Sequence, residues 1–180
     1  MLRFSVSGGV YFAIDQETGN TVVIKEARPA TAFDAENHDA VDRLRKEYRL
    51  LQKLQDTGIT PLPIDLFQDW EHLFLVEEYV PGPDLAIYVV SSNPLFSPYP
   101  VEQQQKKVYV DKLRILWTKL AQGIALIHSR GIVYGDLSIK NVIVSNENAG
   151  EVRIIDLEAA WEEGVDTNAI GNSWLHKPKS

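Results

Sequence analysis

The stretch "GIVYGDLSIKNVIV", residues 131–144, decides the reading of this chain. It sets an acid, Asp136, and an amide, Asn141, in a polar loop between two apolar runs. Upstream, Leu113, Leu116, Leu120, Ile124 and Ile127 recur at threes and fours, which predicts a helix over 111–130. Gly131 then stands at the position past a helix end that favours a left-handed cap. Downstream, "NVIV" and "VRIIDL" read as two short strands joined by the polar turn "SNENAG". Asp156 closes the second run, so it emerges at a strand end. Each of these polar residues alone is more often a turn or cap residue. Together they form a set of hard oxygen donors. Mg²⁺ takes such donors, a few at a time, and completes its shell with substrate phosphates.

Working back toward the N-terminus, "VYFAID" and "TVVIKEA" read as two strands around the turn "QETGN". Lys25 lies in the second of them, among apolar and β-branched neighbours. A lone strand lysine more often points to water than into a site. From about Asp39 to Leu54 the period becomes helical, with Val41, Leu44, Tyr48, Leu51 and Leu54 on one stripe and Gly58 beyond it. Glu47 lies next to that stripe, where an acid is costly unless it meets a cation. Lys25 and Glu47 therefore predict a strand-to-helix ion pair that would hold the ammonium ready for phosphates. "LPIDLFQDWEHLFLVEEYV" gives two more strands around "DWEH", and "PGPD" ends them. Residues 91–110, with three prolines and a polar run, read as a loop or insertion.

The order of elements is α+β: strand pairs with one helix, a boundary near Pro81–Asp84, then a long helix and a small hairpin. Three regions follow: 1–82, 83–160, and a tail over 161–180 ending in "HKPKS". The 180 residues carry a formal net charge of −7, which does not suit bulk electrostatic binding of nucleic acid. There is no cysteine, so neither a disulfide framework nor a thiolate metal site is available. No apolar run reaches a membrane span, and no secretory signal pattern opens the chain. A cytoplasmic protein without membrane or nucleic-acid partners is the expectation.

The motifs resemble those of a protein kinase domain. The kinase catalytic loop, His-Arg-Asp-Leu-x-x-x-Asn, appears as Tyr134-Gly135-Asp136-Leu137-Ser138-Ile139-Lys140-Asn141. The strand lysine motif appears as Val22-Val23-Ile24-Lys25, and Asp-Phe-Gly as Asp156-Leu157-Glu158. "GGVYFA" is similar to the end of a Gly-rich loop, with Gly8 as its last glycine and Arg3 and Ser5 at the two earlier positions. A narrower resemblance is carried by "VVIKEARP", "DAVDRLRKEYRLLQKL", "WEHLFLVEEYVPG", "GDLSIKNVIV" and "IIDLEAA". These look like the kinase domain of class III and IV lanthipeptide synthetases, which combine a lyase, a kinase and a cyclase. The likeness covers nearly residues 7 to 160.

The resemblance implies ATP or GTP with Mg²⁺, and a precursor peptide whose Ser and Thr are phosphorylated before phosphate is eliminated. It implies Lys25 on the α- and β-phosphates, held by Glu47, and Asp136 as acceptor of the substrate hydroxyl proton. Asp156 and Asn141 would be metal ligands. Gly8, Gly9, Val10 and Val23 would cover the nucleotide and Ile143 would floor it. The hinge "EEYV" would present Glu78 C=O and Val80 N–H to the base. Glu77 then takes the gatekeeper position, where a polar contact to the base or an altered nucleotide preference is the functional reading. A hinge misaligned by one residue is the plain one. Gly135 replaces the arginine that pairs with a phosphorylated activation segment, so no such switch is expected. Lys140 could stand in for a lysine near the transferred phosphate, or be an exposed loop residue.

The chain starts almost at the Gly-rich loop and ends soon after Asp156, without Ala-Pro-Glu. It reads as a fragment of a kinase domain, truncated at both ends. Missing segments, or lyase and cyclase domains, would lie on another chain. Leu116, Trp117 and Leu120 would then expose an apolar patch. Two other readings stay open. One is a catalytically inactive, pseudokinase-like binding module. The other is a small-molecule kinase of the aminoglycoside or choline type.

Overall fold

The computed structural model describes residues 3–34, 36–144 and 151–166. The chain opens with three antiparallel strands: β1 (Arg3–Ser5), β2 (Gly8–Ile14) and β3 (Thr21–Ala27). The β2–β3 turn is built by Asp15, whose carboxylate accepts from the Glu17 N–H at 2.8 Å. Helix α1 (Ala40–Leu54) follows, capped by Asp39, whose carboxylate accepts from the N–H groups of Val41 and Asp42. Strands β4 (Pro63–Asp69) and β5 (His72–Glu78) complete a five-stranded sheet of order β1-β2-β3-β5-β4.

Helix α2 (Leu85–Ser92), one 3₁₀ turn (Pro94–Phe96) and the 27-residue helix α3 (Gln103–Ser129) come next. Two short ladders end the described chain. β6 (Ile132–Val133) pairs with β9 (Trp161–Glu162), and β7 (Val142–Val144) pairs with β8 (Val152–Ile154).

The predicted strands, both predicted helices and the β7–β8 hairpin are present, so the α+β class holds. Two expectations change. The loop over 91–110 is largely helical: α2 runs to Ser92, and α3 starts at Gln103 rather than at Asp111. Its first turn is fixed by a Glu102–Gln105 capping box. The exposed apolar residues of α3 also differ from those expected: Val108, Val110, Ile115, Trp117 and Leu126 are exposed. Of the three expected, Leu116 and Leu120 are buried, because their stripe packs in the same core as Ile154 of β8 and Ile132 of β6. The "SNENAG" turn and the tail over 167–180 lie outside the described residues.

One apolar cluster joins the sheet, α1 and the small ladders. It runs from Leu50, Leu51, Leu54 and Leu75 to Leu116, Ile127, Ile132, Ile154 and Leu157. Polar ties cross the same junction: Arg153 grips Glu78 at 2.6 Å and Thr60 O at 2.7 Å, and the Ile154 N–H donates to Ile59 O at 2.8 Å. The sheet is thereby set against the loops that carry Asp136 and Asp156. Among the described residues, no helix is long and apolar enough to cross a membrane.

Candidate active site

The β2–β3–β5 register decides which side chains share the inner face of the sheet. Val10 stands opposite Lys25, and Lys25 opposite Leu75; Val23 stands opposite Glu77. Directly opposed residues point to the same side. Val10, Val23, Lys25 and Glu77 therefore share one face. Gly8 is required beside them, because a Cβ at that position would overlap the carbonyl of Glu26 on β3, and its φ is +151°.

Lys25 Nζ reaches Glu47 Oε1 at 2.7 Å, so the predicted strand-to-helix ion pair forms. Helix α1 supplies Glu47 from the middle of its buried stripe, one turn from Leu44 and from Leu50 and Leu51. Glu47 Oε1 also accepts the N–H of Leu157, at 2.9 Å. A third group joins from β5: Glu77 Oε1 lies 3.3 Å from Lys25 Nζ. Glu77 is buried, and its second oxygen has no hydrogen-bond partner. Glu77 thus contacts the lysine, at the end of a strand whose alternation placed it inward with Leu73 and Leu75. That alternation was the signal in "HLFLVEE" that could have shown it.

Two buried carboxylates on one ammonium leave an excess negative charge. Burial pushes Glu47 up to about 7 against the pull of Lys25. Burial raises Glu77 too, with Lys25 again opposing. Burial alone would lower Lys25, but Glu47 and Glu77 more than offset it, and the lysine stays charged.

The loop after β6 brings Asp136 and Asn141 together. The Asn141 side-chain amide donates to the carbonyl and to the carboxylate of Asp136, both at 3.3 Å. The Ser138 N–H donates to Asp136 O at 2.8 Å, and the Asn141 N–H to Ser138 O at 2.9 Å, closing the turn. The loop is tied to the strand end that bears Asp156: the Ile155 N–H donates to Asn141 O at 2.9 Å, and the Tyr134 hydroxyl donates to Ile155 O at 2.7 Å. Tyr134 is buried, and its hydroxyl ties the Asp136 loop to the strand end that bears Asp156. Burial and the nearby Asp156 push its phenol well above the usual range. Asp156 itself has φ +64°, an uncommon conformation for a residue other than glycine, and one that clusters at functional sites.

Asp156 lines two adjoining cavities. One, of about 260 Å³, is walled by Gly8, Gly9, Val10, Lys25 and Glu47. The other, of about 310 Å³, is walled by Asp136, Arg43 and Glu158. Val23, Glu78, Val80 and Ile143 do not line either of these cavities. Glu78 turns its carboxylate to Arg153 and its N–H to Leu62 O at 2.9 Å. Val80 is buried, and Ile143 pairs with Arg153 across the β7–β8 ladder. Lys140 is exposed.

Among the described residues, no three His, Asp or Glu side chains converge into a metal cage. Asp136 and Asp156 both line the second cavity, with the Asn141 amide bonded to Asp136, a donor set that fits an ion taking few protein ligands and completing its shell with phosphates and water.

The protein kinase domain family matches residues 6–174. The chain is 37% identical over 159 residues to the Probable SapB synthase of Streptomyces coelicolor, covering 88% of this chain and 17% of that protein. It is 30% identical over 149 residues to the serine/threonine-protein kinase RIM15 of Saccharomyces cerevisiae, covering 83% of this chain and 7% of that one. The cyclin-dependent kinase D-1 of Oryza sativa subsp. japonica is 28% identical over 176 residues, 96% of this chain and 37% of its own. The chain thus spans well under half the length of these relatives. With its lysine–glutamate pair and its Asp136–Asn141 loop joined to Asp156, it belongs to the protein kinase domain family.

Proposed function

We propose that this chain carries the phosphoryl-transfer site of a peptide Ser/Thr kinase of the lanthipeptide-synthetase kind, using ATP or GTP with Mg²⁺. The observation that carries the reading is Glu47 Oε1, which holds Lys25 Nζ at 2.7 Å and the Leu157 N–H at 2.9 Å. It fixes the ammonium next to the strand end that presents Asp156. Kinases as a family work by positioning and charge neutralisation more than by covalent help.

Lys25 would bind the phosphates at the wall of the first cavity, under Gly8, Gly9 and Val10. Asp156 and Asn141 would hold Mg²⁺, which neutralises phosphate charge when bound. Asp136 would accept the proton of a serine or threonine hydroxyl entering by the second cavity, as that oxygen bonds to the γ-phosphorus. The bond from phosphorus to the nucleoside diphosphate breaks, and the diphosphate leaves with its electron pair. The peptide preference rests on the phrase-level resemblance and on the 37% identity to a bacterial synthase.

The test is transfer of terminal phosphate from Mg²⁺–ATP or Mg²⁺–GTP to a Ser/Thr-rich precursor-type peptide, beside a thermal shift with the same nucleotides. Asp136→Asn should bind nucleotide but transfer no phosphate, and Lys25→Ala should lose the shift. A parent protein that shows no shift with either nucleotide would sink the reading.

A further inference from the structure

Helix α1 is tied to the segment after Asp156 by charge. Arg43 Nε meets Glu158 at 2.7 Å. Arg49 spans Glu162 and Asp166, one amino group on each, and Lys53 takes the other oxygen of Glu162. The acids here are well covered: the side chains of Glu162 and Asp166 are 12% and 16% exposed. Asp166 also folds back to accept the Glu162 N–H at 2.8 Å. This is a connected network, the case in which partly buried ion pairs count.

The same segment is anchored on its other side to the strand that feeds the catalytic loop. Ile132 pairs with Glu162, Val133 pairs with Trp161, and the Glu163 N–H donates to Gly131 O at 2.9 Å. Gly135 leaves no room for an ordering side chain from the loop itself. A Cβ there would overlap Ala159 O and lie 2.8 Å from the Trp161 ring. The organising cations come from α1 instead.

Glu47 and Arg49 are two residues apart, so they project from nearly opposite sides of the helix. One side holds Lys25 and the Leu157 N–H. The other holds Glu162 and Asp166.

We infer that Arg49, through Glu162 and Asp166, is a positioning residue for phosphoryl transfer: it clamps α1 so that Glu47 keeps Lys25 in place, and the carboxylates make that clamp independent of phosphorylation. The inference rests on the proposed kinase activity. Loosening the clamp lets α1 turn and carries Glu47 away from Lys25, with the nucleotide cavity otherwise intact.

The test uses the full chain with Arg49→Ala, Arg49→Lys and Glu162→Gln. Arg49→Ala should lower kcat about tenfold or more, as expected for misplaced groups, with a much smaller change in KM for nucleotide. It should also speed hydrogen exchange at the Leu157 amide. Arg49→Lys should restore most of kcat, and Glu162→Gln should fall between. Should Arg49→Ala fail to fold, Glu162→Gln carries the test. Unchanged kcat and unchanged Leu157 exchange in the variants would overturn the clamp. A parent chain that transfers no phosphate would instead count against the kinase reading, and the exchange measurement would still decide the clamp.

Discussion

Glu77 sets the chemistry of this site apart at the level of one residue. It is an acid with a buried, unpartnered oxygen, placed against a lysine already neutralised by Glu47. Its carboxyl is raised above the ordinary 4.5, so the folded state holds a proton that the unfolded chain has released. The unfolded state binds fewer protons in that window, so this contribution to stability falls as pH rises above about 4.5. Glu77→Gln removes it. The stability difference, variant minus parent, should therefore become more positive from pH 4.5 upward. Melting curves of both proteins at several pH values check this; a difference that is flat with pH counts against it.

Lys25→Met acts in the opposite sense. It strands two buried carboxylates and should cost about 3–5 kcal/mol near pH 8, and less near pH 5, where both can take protons. Denaturant unfolding at the two pH values measures it. Lys25 and Glu47 were legible in the sequence, because a charge within or beside an apolar period needs a partner. The contact of Glu77 with the lysine was not. The alternation in "HLFLVEE" places Glu77 inward, but which partner it meets depends on strand register, which no local pattern states.

At the level of elements, the strands and α1 were legible because β-branched alternation and a 3.6-residue period both announce themselves. Helix α2 was missed. "LAIYVVSS" is rich in residues that favour strands, and what makes it a helix is packing of Leu85 and Tyr88 together with the Asp84 cap, whose carboxylate accepts the Ile87 N–H at 2.8 Å. Asp84→Ala should lower stability by about 1 kcal/mol, read by denaturant unfolding. The early start of α3 was missed because a polar run after three prolines has no apolar period. In α1, Leu51 is fully buried between the sheet and the rest of the core. Leu51→Ala should cost about 2–5 kcal/mol, the usual range for a truncated core leucine. It should weaken nucleotide binding in step with stability, whereas Arg49→Ala should separate the two.

At the level of the whole molecule, the motif order in the sequence announced the architecture, but not how its parts are coupled. Lys25, Asp136 and Asp156 were found as separate landmarks. The structure connects them through backbone groups that no side-chain pattern reports, such as the Leu157 N–H and the Ile155 carbonyl. It also adds a set of carboxylates after Asp156 that meet the cations of α1. Those acids lie in a stretch without periodicity, and their partners stand more than a hundred residues earlier in the chain.

The shared oxygen of Glu47 has a further consequence. One atom accepts both the Lys25 ammonium and the Leu157 amide, so it works as a coincidence detector: its full set of bonds exists only while the sheet and the post-Asp156 segment are docked at once. The Leu157 amide is therefore a native reporter. A single ¹⁵N resonance at that position should shift whenever either partner lets go, and so give the occupancy of the assembled state without any added label at the site.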